Sequence, residues 1–93
     1  MYYVYVLRCA DHSLYVGYTR HIERRVEAHN AGTGARHTSE RRPVRLVYSE
    51  SHASRAAAVA RERQLKGWTW AKKEALIHGH FDRLHELSRR RRR

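Results

Sequence analysis

The hydrophobic pattern opens on a two-residue alternation. In Tyr3-Val4-Tyr5-Val6-Leu7-Arg8, and again in Leu14-Tyr15-Val16-Gly17-Tyr18, tyrosines alternate with Val or Leu. Asp11, His12 and Ser13 lie between the two runs and supply turn chemistry. Alternating β-branched and aromatic residues bounded by such a cluster predict a β-hairpin. Strand side chains alternate faces, so Tyr3, Tyr5 and Leu7 share one face of the first strand, and Tyr15 and Gly17 share one face of the second. A tight hairpin can bring Tyr5 and Tyr15 together on a common face, in a register that the sequence leaves open.

Beyond the hairpin the period lengthens. Thr19 is a candidate cap for a helix running to Asn30, with Glu23 near its first turn, where a carboxylate suits the dipole. At 100° per residue, Ile22, Arg25, Val26 and His29 fall on one face, while Glu23, Arg24 and Glu27 fall outside it. Arg24 is therefore expected in solvent, and Arg25, at the apolar margin, to need a partner. Residues 31–43 read as a loop rich in Gly and Arg, and Val44-Arg45-Leu46-Val47-Tyr48 as a third strand. Ser51 or Ser54 can cap a second helix through Lys66, stopped by Gly67. Thr69 caps a third through Ile77, with Gly79 just past its end. Phe81, Leu84 and Leu87 recur at helical spacing, so a short final helix is expected. The run Arg89 to Arg93 reads as a disordered, solvated tail. Val26, Leu46 and Leu65 are the expected core anchors.

Composition changes this picture in two ways. At 93 residues the chain is one small domain, near the size at which a single core barely suffices. Its 20 Lys and Arg against 9 Asp and Glu give a formal net charge of +11, which argues for a polyanionic partner such as a nucleic acid. A membrane surface fits poorly, because no basic amphipathic helix with a wide apolar face stands out, and no apolar run approaches membrane length. Cys9 is the single cysteine, which excludes a disulfide framework and a Cys-based zinc site; it is expected to pack as a small hydrophobe near the turn. The first strand begins almost at once, leaving no room for a signal peptide, so a cytoplasmic location is expected.

The residues that could carry chemistry each have a plainer reading. Tyr5 and Tyr15 suit a sheet without any function, but a tyrosine aimed at a cleft can accept a proton or bind phosphate. Arg25 and His29 are helix neighbours four apart; together they suit a phosphate, which the Arg clamps while the His moves a proton. The plainer alternative is an Arg stem lying over Ile22. Glu62 shares a helix face with Ala58 and Leu65, which is costly unless a cation or a donor meets it. An arginine would serve, and so would Mg²⁺, which accepts one carboxylate and keeps several waters. The Gly–Arg loop, with Arg36, His37, Thr38, Arg41 and Arg42, suits phosphate contacts, although basic loops are often merely solvated. It is not a P-loop, since no Gly-Lys-Ser/Thr follows.

Taken in order, Tyr3-Val4-Tyr5 and Tyr15-Val16-Gly17 resemble the paired tripeptides of the GIY-YIG nuclease superfamily, closest to its small stand-alone bacterial members of the excision-repair-incision type. Tyr3 stands where the family's first tripeptide has Gly; the catalytic-type Tyr5 is kept. In the family an Arg follows the second tripeptide's Gly by eight residues, which gives Arg25, the residue that the helix-face argument also selects. Some members carry a His four further on, here His29. The family's metal-binding Glu lies on the helix after the third strand, and Glu62 fits, within Arg61-Glu62-Arg63-Gln64-Leu65-Lys66. The resemblance covers residues 1–78, taken as the nuclease-like domain, and leaves 79–93 as a helical extension and basic tail.

The resemblance implies an α/β (α+β) domain with a small, mostly antiparallel three-stranded sheet flanked by three or more helices. It also implies a metal-dependent endonuclease acting on DNA first and RNA second, in repair or recombination. One Mg²⁺ or Mn²⁺ on Glu62 would sit near the leaving 3′ oxygen. Arg25 would hold the non-bridging oxygens, and Tyr5 or Tyr15 would orient or deprotonate water with help from His29 or Tyr18. Tyr18, Arg36, His37, Arg41, Arg42 and Lys66 are the candidate nucleic-acid contacts. The alternatives are a non-catalytic nucleic-acid-binding module of the same fold, or one that needs a protein partner to cut, and a basic structural protein such as a ribosome-associated factor.

Overall fold

The structure, a computed structural model, describes residues 1–91. Its elements are β1 (Tyr2–Arg8), β2 (Leu14–Thr19), α1 (Ile22–Asn30), α2 (Arg36–Ser39), β3 (Arg45–His52), α3 (Arg55–Lys66), α4 (Trp70–Ile77) and α5 (Phe81–Arg91). The sheet is antiparallel in the order β2-β1-β3, so the opening hairpin supplies its centre and one edge. The expected α+β class, with a three-stranded antiparallel sheet, is what forms.

The central strand is covered on both faces. Val4 and Val6 pack with Val16, and with Ala58 and Leu65 of α3 and Leu76 of α4. Tyr5 and Leu7 point the other way and pack with Cys9, Val44 and Val26 of α1. Four consecutive residues, Val4 to Leu7, are therefore buried. At the end of β1, Arg8 donates two hydrogen bonds of 2.7 and 2.6 Å to the Glu74 carboxylate, tying the strand to α4. That pairing holds the Glu74 carboxyl below its ordinary range.

The helix boundaries follow from capping chemistry. Ser54 accepts from Ala57 N at the start of α3, and Thr69 from Lys72 N at the start of α4. Gly79, at φ +69°, ends α4 as expected: His80 N bonds to Ala75 O and Gly79 N to Leu76 O, the paired closure of a left-handed C-terminal residue.

Five expectations are corrected. Thr19 does not cap α1. It closes β2, its Oγ1 accepts from His21 N at 3.1 Å, and the helix begins at Ile22 behind an uncapped His21. The Gly–Arg loop contains the turn of helix α2. β3 runs four residues past Tyr48, because pairing with β1 continues to Tyr2↔His52. Its polar end is accommodated by Glu50, which accepts from Tyr48 Oη and Arg61 Nε and pairs with His52. Leu46 is 41% exposed and is no core anchor. Arg89 to Arg91 belong to α5 rather than to a disordered tail, while the part of that expectation falling on Arg92 and Arg93 lies outside the described residues.

Leu65→Ala should cost about 2–5 kcal/mol by cavity formation, against less than about 1 kcal/mol for Leu46→Ala. Denaturant unfolding of the two variants checks this; equal losses would contradict the burial assignment.

Candidate active site

The site is built on the edge of β2. In the β1–β2 register Tyr5 lies opposite Gly17, and Leu7 opposite Tyr15. Lacking a Cβ, Gly17 lets the Tyr5 ring pass over it: a methyl group there would come within 2.5 Å of Tyr5 Oη. The Tyr5 hydroxyl therefore reaches the strand edge, with the Tyr15 ring 6.5 Å away between centroids. This close approach gives the Gly of the second tripeptide a physical reason.

An open cleft of about 470 Å³ at this edge is lined by Tyr2, Tyr5, Tyr15, Tyr18, Thr19, Arg20, His21, Arg25 and Glu62. Arg25 comes from α1 on one face of the sheet and Glu62 from α3 on the other. Five of the residues singled out from sequence, Tyr5, Tyr15, Tyr18, Arg25 and Glu62, thus meet in one place. A larger depression of about 630 Å³ shares only Arg20 and His21 with this cleft and holds no such set of groups.

His29 lies behind the cleft rather than in it, 1% exposed. Its Nε2 is 2.9 Å from Tyr5 Oη and its Nδ1 is 2.7 Å from Thr38 Oγ1. Gly34 lies against the ring, where a Cβ would come within 2.4 Å of Nδ1, and the Tyr15 ring is 5.0 Å off. Burial, reinforced by the nearby Arg25 charge, pushes the His29 pKa below its ordinary value, so the imidazole is neutral at pH 7.

Burial raises the Tyr5 pKa, with Tyr15 and the Glu62 charge adding to it and Arg25 opposing. Tyr15 is raised for similar reasons, burial first and Glu62 second, again opposed by Arg25. Neither phenol is ionised beforehand at neutral pH. A proton can leave Tyr5 only as another group takes it, and His29 Nε2 is in place to do so.

Arg25 is exposed, and among the described residues its guanidinium forms no hydrogen bond or ion pair. The partner expected for it is not found among the described residues, and the side chain is exposed instead. Glu62 has a side chain only 15% exposed, and among the described residues its one ion pair is a long contact of 3.7 Å to Lys66. Lys66 also lies 6.0 Å from the Tyr15 ring centre. His37 stacks on Tyr15 at 6.2 Å and bonds Ser13 Oγ at 3.0 Å. Arg36, Arg41 and Arg42 do not line the cleft. Arg36 is solvated beside Glu40. Arg41 pairs with Asp11 and donates to His37 O. Arg42 donates to Ser39 O and Asn30 O.

Sequence reasoning missed Tyr2, Arg20, His21 and Gly34, and it read Thr38 as a loop phosphate contact, whereas Thr38 is buried against His29. Arg20 stacks over Tyr2 at 5.2 Å, a pairing made by the hairpin register. Thr38 and Gly34 sit in a segment without periodicity, and no sequence signal ties either to His29.

The family model described as the GIY-YIG catalytic domain matches residues 1–75. The chain belongs to the GIY-YIG family. It is 53% identical over 75 residues to a UPF0213 protein of Natronomonas pharaonis, covering 81% of this chain and 88% of that one. A UPF0213 protein of Staphylococcus haemolyticus is 47% identical over 75 residues, covering 81% and 92%. Among solved structures, the NMR structure of a UPF0213 protein from Bacillus halodurans superposes with a TM-score of 0.55 at 40% identity, covering 84% of each chain. One from E. faecalis gives 0.57 at 41% identity over 86% of each. The relatives are thus small single-domain proteins of this GIY-YIG type, a nuclease superfamily generally dependent on divalent metal.

Gly17→Ala should displace the Tyr5 ring and break its bond to His29, whereas Gly67→Ala, whose nearest neighbour would be 3.5 Å away, should be silent. Hydroxyl and ring-nitrogen NMR signals report the difference; equal spectra would contradict the Gly17 role. An NMR titration of His29 should give a midpoint below about 6.5. The folded state then takes up this proton less readily than the unfolded chain. The stability share of this residue is therefore full above about 6.5 and is lost as pH falls toward the folded midpoint. A midpoint above 6.5 would reverse that sign.

Proposed function

We propose that this domain is a divalent-metal-dependent endonuclease that hydrolyses phosphodiester bonds, in DNA first and RNA second, in a cytoplasmic repair or recombination setting. The observation that carries the proposal is the Tyr5–His29 hydrogen bond at the wall of a cleft that also presents Arg25 and Glu62.

Glu62 fits a hard cation. It is a half-buried carboxylate facing the cleft, and its loose contact to Lys66 leaves it free to accept a ligand. A single carboxylate with several waters suits Mg²⁺ or Mn²⁺. Among the described residues no cluster of three or more His, Cys, Asp or Glu forms a richer cage, which makes zinc a poor fit. Bound at Glu62, the ion would neutralise charge developing on the leaving oxygen.

The protein groups do the rest. Arg25 holds the non-bridging oxygens of the scissile phosphate, a role for which its exposed guanidinium, unpaired among the described residues, is suited. Tyr5 Oη takes a proton from the attacking water while its own proton passes to His29 Nε2. The water oxygen bonds to phosphorus, the P–O bond to the leaving group breaks, and the leaving oxygen is protonated from solvent. Tyr15 packs against both Tyr5 and His29 and holds their rings. Tyr18, itself held by Arg55 at 3.0 Å, and Lys66 flank the strand path.

The non-catalytic reading has one observation in its favour, the single carboxylate. Glu62→Gln separates the two. Cleavage of branched, duplex and single-stranded substrates with Mg²⁺ and Mn²⁺ should fall by about a hundredfold or more, the scale of losing one electrostatic stabiliser. Binding should hold or tighten as a negative charge is removed. Binding by the parent chain without cleavage of any substrate would overturn the enzyme reading. Affinity should also drop steeply with salt, given the charge of +11; a flat salt dependence would contradict nucleic acid as the partner.

A further inference from the structure

We propose that Thr38 is a positioning residue that fixes the tautomer of His29, and so the direction in which the Tyr5 proton can move. The catalytic consequence rests on the nuclease reading; the tautomer itself does not.

The Thr38 hydroxyl has a single proton, and it is donated to the carbonyl oxygen of Ala35 at 2.9 Å. That carbonyl can only accept. It also receives Ser39 N at 3.0 Å and so is fixed within the turn of α2. With its proton on that carbonyl, Thr38 Oγ1 meets His29 as an acceptor, and the 2.7 Å contact then places the ring proton on Nδ1. A neutral imidazole carries one ring proton, so Nε2 is bare. The 2.9 Å contact to Tyr5 must then run from Oη–H to Nε2. Tyr5 spends its only proton inward, and its remaining lone pairs are the ones left for the cleft.

The opposite tautomer would undo this polarity. With the proton on Nε2, His29 would donate to Tyr5 Oη and occupy a lone pair that water needs. It would also have no free nitrogen to receive the Tyr5 proton. The ring cannot flip to escape the choice, because a flip would put carbon atoms at both hydrogen-bonding positions. Gly34 and the rings of Tyr5 and Tyr15 confine it. Thr38 is itself 0% exposed, so bulk solvent does not reach its hydroxyl. The chain Tyr5, His29, Thr38, Ala35 carbonyl thus points every proton one way, from the cleft wall inward to α2's turn. Reaction reverses only the first link: the proton from Tyr5 arrives on Nε2, and the resulting imidazolium keeps its Nδ1–H bond to Thr38. An acceptor there stabilises the cation as well as fixing the neutral form.

The test is long-range proton–nitrogen correlation NMR on the ¹⁵N-labelled chain at neutral pH. His29 should show a protonated Nδ1 and a bare Nε2. Thr38→Ser keeps the hydroxyl and should preserve that pattern and the cleavage rate. Thr38→Val keeps the shape but offers no acceptor; it should shift the ring toward the Nε2–H form and lower kcat by about 10²–10⁴-fold, with nucleic-acid affinity little changed. A protonated Nε2 in the parent chain, or a Thr38→Val ring that keeps the parental pattern, would overturn the proposal. The parent spectrum decides the tautomer even if the Val variant does not fold. A parent chain with Nδ1 protonated that cleaves nothing would uphold the lock and sink the nuclease reading. A cleaving chain with Nε2 protonated would do the reverse.

Discussion

The bond between the Tyr5 hydroxyl and His29 joins residues 24 apart in sequence at a point buried from solvent. Buried polar groups are costly unless every donor and acceptor is met. Here Tyr5, His29, Thr38 and Ala35 meet one another in a single chain of bonds. Much of the fold follows from that requirement. The residue opposite Tyr5 must be a glycine for the ring to cross β2. α1 must lie on that face to deliver His29, and the segment after it must turn back as α2 to bring Thr38 beneath the ring.

The same arrangement lets a small sheet hold the groups that the proposed chemistry needs. Both faces of β1 are packed, one by α3 and α4 and the other by α1, so the strand that holds Tyr5 is clamped from both sides. The cleft lies beside this rigid strand, at the sheet edge, where groups from both faces converge. Arg25 and Glu62 sit on opposite sides of the sheet and meet only because β2 is an edge. Their opposite charges act on the tyrosines in opposite senses, Glu62 raising and Arg25 lowering the pKa of both. A phosphate on Arg25 and a cation near Glu62 would each offset the group they meet.

Much of this was legible in the sequence because it is periodic. Alternation gave the hairpin and put Tyr5 and Tyr15 together, and the helical period put Arg25 and His29 on one face and Glu62 beside Ala58 and Leu65. What was not legible lacks a period or depends on long-range pairing. Thr38 and Gly34 act through contacts with His29 inside an irregular segment. The end of β3 reads as polar loop, and becomes strand because Glu50 finds Tyr48, His52 and Arg61. Thr19 has the composition of a cap, but pairing with Tyr3 draws it into β2. Arg41 and Arg42 read as phosphate ligands by charge, while their hydrogen bonds hold the loop together.

The most direct measurement compares Tyr5→Phe with Tyr15→Phe, each assayed for nucleic-acid binding and for cleavage with Mg²⁺. Each change removes one hydroxyl and leaves a ring of nearly the same shape. If proton transfer runs from water through Tyr5 to His29, Tyr5→Phe binds substrate and does not cut it, while Tyr15→Phe keeps most of its turnover. A Tyr5→Phe chain that cuts at the parental rate, with the loss found instead in Tyr15→Phe, would contradict the account.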